Sequence, residues 1–144
     1  MKWLVVAAWM AVIFTFSTDA FSEAHTTPII SPLLATLFPN LSPTHVVNIA
    51  MLVRKLGHLS EYFILAVLLM RAFGNLAGAR SEKHGTLYTV GIATLYAISD
   101  EWHQSFVLSR TASAQDVLID AIGVICGACL YHWWSQRENK EKRD

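Results

Sequence analysis

The sequence predicts an all-α fold: a four-transmembrane-helix bundle with both termini cytoplasmic and a proline-containing outer loop. Three observations lead there. Charged residues are 15% of the 144, well under the roughly 25% of an ordinary soluble domain. Hydrophobic residues reach 53%, and the mean hydropathy is +0.38. The charges are also segregated, because residues 3–18, 62–70, 85–99 and 121–136 carry none. This composition excludes intrinsic disorder and fits a single integral membrane domain over residues 1–144. Lys+Arg and Asp+Glu both total 11, so no global basic field points to nucleic acid. Two cysteines cannot build a disulfide scaffold.

The helices are expected at about residues 2–17, 46–73, 85–108 and 114–134. None is a clean run of about 18 apolar residues, but the second and third are long enough to span with their polar ends included. The first block also fits a secretory signal, with Lys2 as its basic region and Thr18 and Ala20 as small residues before a cut. Trp3 and Trp9 suit a retained helix better. All four prolines (Pro28, Pro32, Pro39, Pro43) lie between the first two helices. There, residues 31–38 read as a short surface helix with Ser31 as cap and Pro32 in its first turn. It would serve as an ordered connector or as a lid over a site. Residues 136–144 read as a solvated, charged cytoplasmic extension of the last helix.

Lysine and arginine counts set the orientation. Lys2, Arg71, Arg80, Lys83, Arg137, Lys140, Lys142 and Arg143 fall on one side of the bundle, and Arg110 alone lies in the loop opposite. The positive-inside rule puts the larger group in the cytoplasm. Trp3, Trp133 and Trp134 then sit at the inner interface, where amphipathic rings are favoured.

Polar residues interrupt three of the helices at one end. At about 100° per residue, Arg54, His58, Glu61 and Leu65 share a stripe of the second helix, with Lys55 and Tyr62 along its edge. The third helix ends in Asp100, Glu101, His103 and Gln104. The fourth begins near Asp116, and Asp120, Gly123 and Gly127 follow on the same face. Antiparallel threading brings all three clusters to the outer face. Ionisable groups inside a bilayer cost at least about 2.5 kcal/mol each near its centre, so they pair, reach water or protonate. The expectation is a polar pocket opening outward and closed below by the Gly123–Gly127 seam. Arg54, Lys55 and Glu101 fit equally as solvated interface residues, and Asp116 as a helix cap.

At these segments the chain resembles the VanZ-like family of small bacterial membrane proteins, named after a teicoplanin-resistance determinant. The matching stretches are Arg54-Lys-Leu-Gly-His-Leu-Ser-Glu-Tyr62, Tyr96-Ala-Ile-Ser-Asp-Glu-Trp-His-Gln-Ser-Phe106 and Arg110-Thr-Ala-Ser-Ala-Gln-Asp-Val-Leu-Ile-Asp-Ala-Ile-Gly123. With the apolar blocks between them they cover residues 46–127. The resemblance implies a multi-pass protein of the bacterial plasma membrane, and a link of some members to lowered teicoplanin sensitivity. It marks Lys55, His58, Tyr62, Asp100, Glu101, Gln104, Arg110 and Asp116 as the family's polar signature. Where the family often carries Pro-Gly before the arginine, this chain has Leu108-Ser109.

The expected site therefore comprises Lys55, His58, Glu61, Tyr62, Asp100, Glu101, Gln104, Arg110, Asp116 and Asp120. The leading function is an envelope protein that binds or shields a lipid or cell-wall component, since arginine offers a planar fork for phosphate. The alternative is an intramembrane acid-base or metal-assisted enzyme acting on a lipid-linked substrate. No nucleophile motif and no His-Glu-x-x-His pattern occurs, so no catalytic residue, cofactor or metal is assigned. A purely structural charge network and ion transport are weaker readings. Membrane lipids are the expected partners, with self-association through Gly123 and Gly127 as a further option. Cys126 and Cys129 read as small hydrophobes, and His25, His45, His84 and His132 as loop or interface residues.

Overall fold

The computed structural model describes residues 1–74, 82–110 and 112–141, and over these it is all-α. Its helices are α1 (Lys2–Phe16), α2 (Glu23–Leu37), α3 (Pro43–Phe73), α4 (Glu82–Gln104) and α5 (Ala114–Glu141), with a 3₁₀ turn at Asp19–Phe21. Arg80, Lys142 and Arg143, and the side chain of Lys83, on which part of the orientation count rests, lie outside the described residues.

α1 packs antiparallel to α3. Val6 and Ile13, two turns apart, form its buried face. Trp9 Nε1 donates to the Glu61 carbonyl at 2.9 Å, and Lys2 Nζ to that of Arg71 at 3.2 Å. Tyr96 of α4 donates its hydroxyl to the Met10 carbonyl at 2.7 Å. These bonds make α1 an integral helix of the bundle.

The loop between α1 and α3 is mostly helix. α2 starts at Glu23 behind Ser22, not at Ser31, and carries Pro28 and Pro32 in its interior. Proline read as a helix start misplaced that boundary. Each ring forfeits a single intrahelical bond, and at a spacing of four both losses fall on one face. α3 begins as a capped helix should. Ser42 Oγ accepts from the His45 N–H at 3.4 Å, with Pro43 in the first position. α4 ends at Gln104, short of the expected 108. Bonds such as Phe106 N–H to the His103 carbonyl at 3.1 Å turn the chain there instead.

Parallel α3 and α5 form the tightest pair. A Cβ on Gly123 would stand 2.4 Å from the Leu59 carbonyl oxygen, and one on Gly127 2.4 Å from that of Phe63. The small-residue seam is thus filled by α3 of the same chain. Around it, Ile13, Tyr62, Leu65, Leu69, Ala93, Ala97 and Val124 form the core. At the end of the bundle remote from the seam's polar neighbours, Trp3 packs edge-on against Phe73 at 5.1 Å, and Arg137 lies over Trp133 at 3.9 Å.

By length and hydropathy α3 and α5 can each cross a membrane, and α1 with α2 qualifies as a pair bent by 69°. α4 has 23 residues but does not qualify on composition. Glu82, Lys83 and His84 open it and Asp100, Glu101, His103 and Gln104 close it, leaving too short an apolar stretch between. Among the described residues this measure gives two spanning helices, or three spans if the bent pair counts as one.

Candidate functional site

The ends of α1 and α4 and the beginnings of α3 and α5 gather at one end of the bundle, where the polar residues form three connected nodes. In the first, Asp100 is 3% exposed and accepts from Ser17 Oγ and, at 3.2 Å, from Gln104 Nε2. Gln104 Nε2 also donates to Ser17 Oγ at 3.0 Å. Buried carboxylates need donors of this kind, and here α1 supplies one of them.

The second node joins α3, α4 and α5. His58, Glu101 and Asp120 are buried, at 7%, 5% and 0% exposure. One ligand-type atom from each lies within 4.8 Å of the other two. His58 Nδ1 stands 3.3 Å from Asp120 Oδ1, an ion-pair distance without hydrogen-bond alignment. Glu101 Oε2 accepts the Ser113 N–H at 2.8 Å. Its Oε1, both oxygens of Asp120 and His58 Nδ1 are buried without a hydrogen-bond partner among the described residues.

The third node holds the arginines. Arg54 Nη2 is 3.9 Å from Asp116 Oδ2 in α5, and its Nη1 is 3.5 Å from Glu23 Oε2 in α2. Asp116 pairs here rather than capping its helix. The cap of α5 is Ser113, whose Oγ accepts the Gln115 N–H at 3.2 Å. Among the described residues Arg110 bonds no carboxylate. Its Nη2 donates to the Phe16 carbonyl and, at 3.1 Å, to that of Thr18. Ser109, which stands where the family often has Pro-Gly, donates to Asp19 and so pins the Arg110 loop to the 3₁₀ turn. Burial, and then the nearby Arg54 guanidinium, hold Arg110 below the usual arginine range.

A cavity of about 300 Å³ opens beside these nodes, lined by Arg54, His58, Glu61 and Arg110 together with apolar residues such as Phe21, Ile30 and Met51. Glu23, Thr26 and Thr27 of α2 form part of its wall. The pocket thus lies between α2 and α3, not above the glycine seam. Asp100, Glu101, Asp116 and Asp120 do not line it. Of the expected site residues, Lys55 is half-buried and makes no ion pair or hydrogen bond among the described residues. Tyr62 is fully buried, and its hydroxyl has no hydrogen-bond partner among the described residues.

That orphan makes a prediction. Tyr62→Phe deletes a buried, unsatisfied polar group, so the variant should be as stable as wild type or more stable, by up to about 2 kcal/mol. A clear loss of stability in detergent thermal unfolding would mean that the hydroxyl has a partner in solution.

Reading residues alone missed Trp9, Ser17, Glu23, Ser109 and Ser113. Each is an ordinary residue at a helix face or end, and its role exists only across a contact with another helix. Cys126 and Cys129 are exposed on α5.

No curated protein and no solved structure matches the chain. A family model described as VanZ/LLP1 matches residues 2–135, which takes in α1 as well as all three polar nodes. With the apolar helices and that match across nearly its whole length, the chain belongs to the VanZ/LLP1 family.

Proposed function

We propose that this protein is a multi-pass plasma-membrane protein of the bacterial envelope whose cavity faces outward and holds the phosphate of a lipid or lipid-linked cell-wall component. In this reading α1, α3, α4 and α5 cross the membrane with both ends in the cytoplasm, and α2 lies along the outer surface. The observation that carries it is the presence of two guanidiniums, Arg54 and Arg110, on the wall of one cavity that also carries Glu23, His58 and Glu61 and whose remaining walls are mostly apolar. Arginine forks suit phosphate oxygens, and apolar walls suit the adjoining chains of a lipid. α2 supports the same reading. It exposes Ile29, Leu33 and Leu37, as a helix resting in a headgroup layer would, while its Glu23 end covers the cavity. By its family likeness the chain is a candidate for lowering teicoplanin sensitivity through such shielding.

Arg110→Ala should weaken retention of phosphatidylglycerol in nanodiscs roughly tenfold or more, the loss expected for a charge-assisted bond, and leave phosphatidylcholine unaffected. Any effect on teicoplanin sensitivity should appear at equal membrane abundance. Unchanged phosphatidylglycerol binding would remove the head-group reading. Ser109→Cys in a Cys126→Ser/Cys129→Ser background should react with a membrane-impermeant maleimide in intact cells. Labelling only after permeabilisation would reverse the orientation.

A further inference from the structure

We infer that His58, Glu101 and Asp120 hold a divalent cation of the zinc or manganese kind at the junction of α3, α4 and α5. The three side chains come from three helices, yet their ligand atoms converge within 4.8 Å. Atoms bound at about 2.1 Å to one ion sit roughly 3 to 4 Å apart, so the set closes on an ion with a contraction of about an ångström.

The second observation is independent of that spacing. All three residues are more than nine-tenths buried, and His58 Nδ1, Glu101 Oε1 and both Asp120 oxygens have no hydrogen-bond partner among the described residues. Buried polar atoms are seldom left unpaired. A shared proton does not account for them, because Asp120 and Glu101 make no hydrogen bond to each other. The guanidiniums do not neutralise them either: Arg54 pairs with Asp116 and Glu23, and Arg110 with backbone carbonyls. His58 itself, 3.3 Å from Asp120 Oδ1, offsets at most one of the two carboxylates. A buried carboxylate left without a cation costs several kcal/mol, and a divalent ion cancels both charges at once.

The donor set narrows the choice. One imidazole with two carboxylates suits zinc or manganese better than calcium or magnesium, which take oxygen ligands. His58 also lines the cavity and gives the ion its way in. Close-spaced zinc motifs miss this arrangement because its ligands are joined by tertiary packing alone. The site stands apart from the head-group reading, since neither arginine belongs to it.

The full-length protein, purified in detergent without a histidine tag and in the Cys126→Ser/Cys129→Ser background, is stripped with a chelator. It is then titrated with Zn²⁺ and, separately, Mn²⁺. Wild type should take up one ion per chain and gain thermal stability on loading, because the ion binds only the folded state. Asp120→Asn and Glu101→Gln should each weaken uptake at least about tenfold and lose the thermal gain, with helicity by circular dichroism unchanged. His132→Gln, on an exposed face of α5, should bind as wild type does. If Asp120→Asn misfolds, Glu101→Gln decides. The inference fails if stripped wild type takes up neither ion stoichiometrically, or if the folded carboxylate variants load as tightly as wild type. Phosphatidylglycerol retention, measured separately, reports on the head-group reading.

Discussion

Replacing Gly123 and Gly127 together by alanine should remove most of the folded protein, the largest effect expected of any methyl-sized change in the chain. Each new Cβ would stand 2.4 Å from a backbone carbonyl oxygen of α3, Leu59 for one and Phe63 for the other. Neither obstacle is the end of a side chain that can swing away, so α3 and α5 must separate along the seam. Overpacking of this kind costs about 1–3 kcal/mol per site, and a small domain has only about 5–15 kcal/mol in total. Separation would also pull Asp120 from His58, so the polar nodes should be lost with the packing. Gly91→Ala is the control. A Cβ there meets nothing within 4 Å, and alanine is the better helix former by up to about 1 kcal/mol. Detergent thermal unfolding of the two variants should move in opposite directions. A double variant melting within a few degrees of wild type would mean that the helices are not in close contact at the seam.

Arg54→Glu should be the next most damaging change. It puts a third carboxylate where Arg54 now stands between Asp116 at 3.9 Å and Glu23 at 3.5 Å, with Glu61 on the same cavity wall. The two partners contribute unequally. The Glu23 side chain is 55% exposed, and its pair with Arg54 is of the solvated kind worth about 0–1 kcal/mol. Asp116 is 6% exposed, so stripping it of its cation leaves a buried charge uncompensated, at about 3–5 kcal/mol. Glu23→Gln should therefore be nearly silent for stability while Arg54→Glu lowers folded yield several-fold. The swap Glu23→Arg/Arg54→Glu should not rescue, because it restores the α2 contact but not the one to α5. Full rescue would show that the tie to α2 is the one that matters.

How much was legible in the residues depended on how far apart the interacting groups lie along the chain. The stripe of Arg54, His58 and Glu61, and the face carrying Asp116, Asp120, Gly123 and Gly127, follow from the 3.6-residue period of one helix. They were found where expected. The arrival of these faces at one end of the bundle follows from alternating helix direction, and it too held. Within that end, the partners came out differently. Asp100 meets Ser17, Asp116 meets Arg54, and Arg110 meets carbonyls at the end of α1. The four carboxylates of α4 and α5 do not line the pocket.

Hydropathy and helical period are properties of neighbouring residues, so the all-α class, the polar end and the glycine face were already written in the order of the amino acids. Rotation and register between helices are not local properties. They follow from how closely α5 can approach α3 along Gly123 and Gly127, and from where Trp9 and Ser17 let α1 dock. That packing decided which side chains share a node, set α2 against the cavity, and left the atoms of His58, Glu101 and Asp120 facing one another without partners.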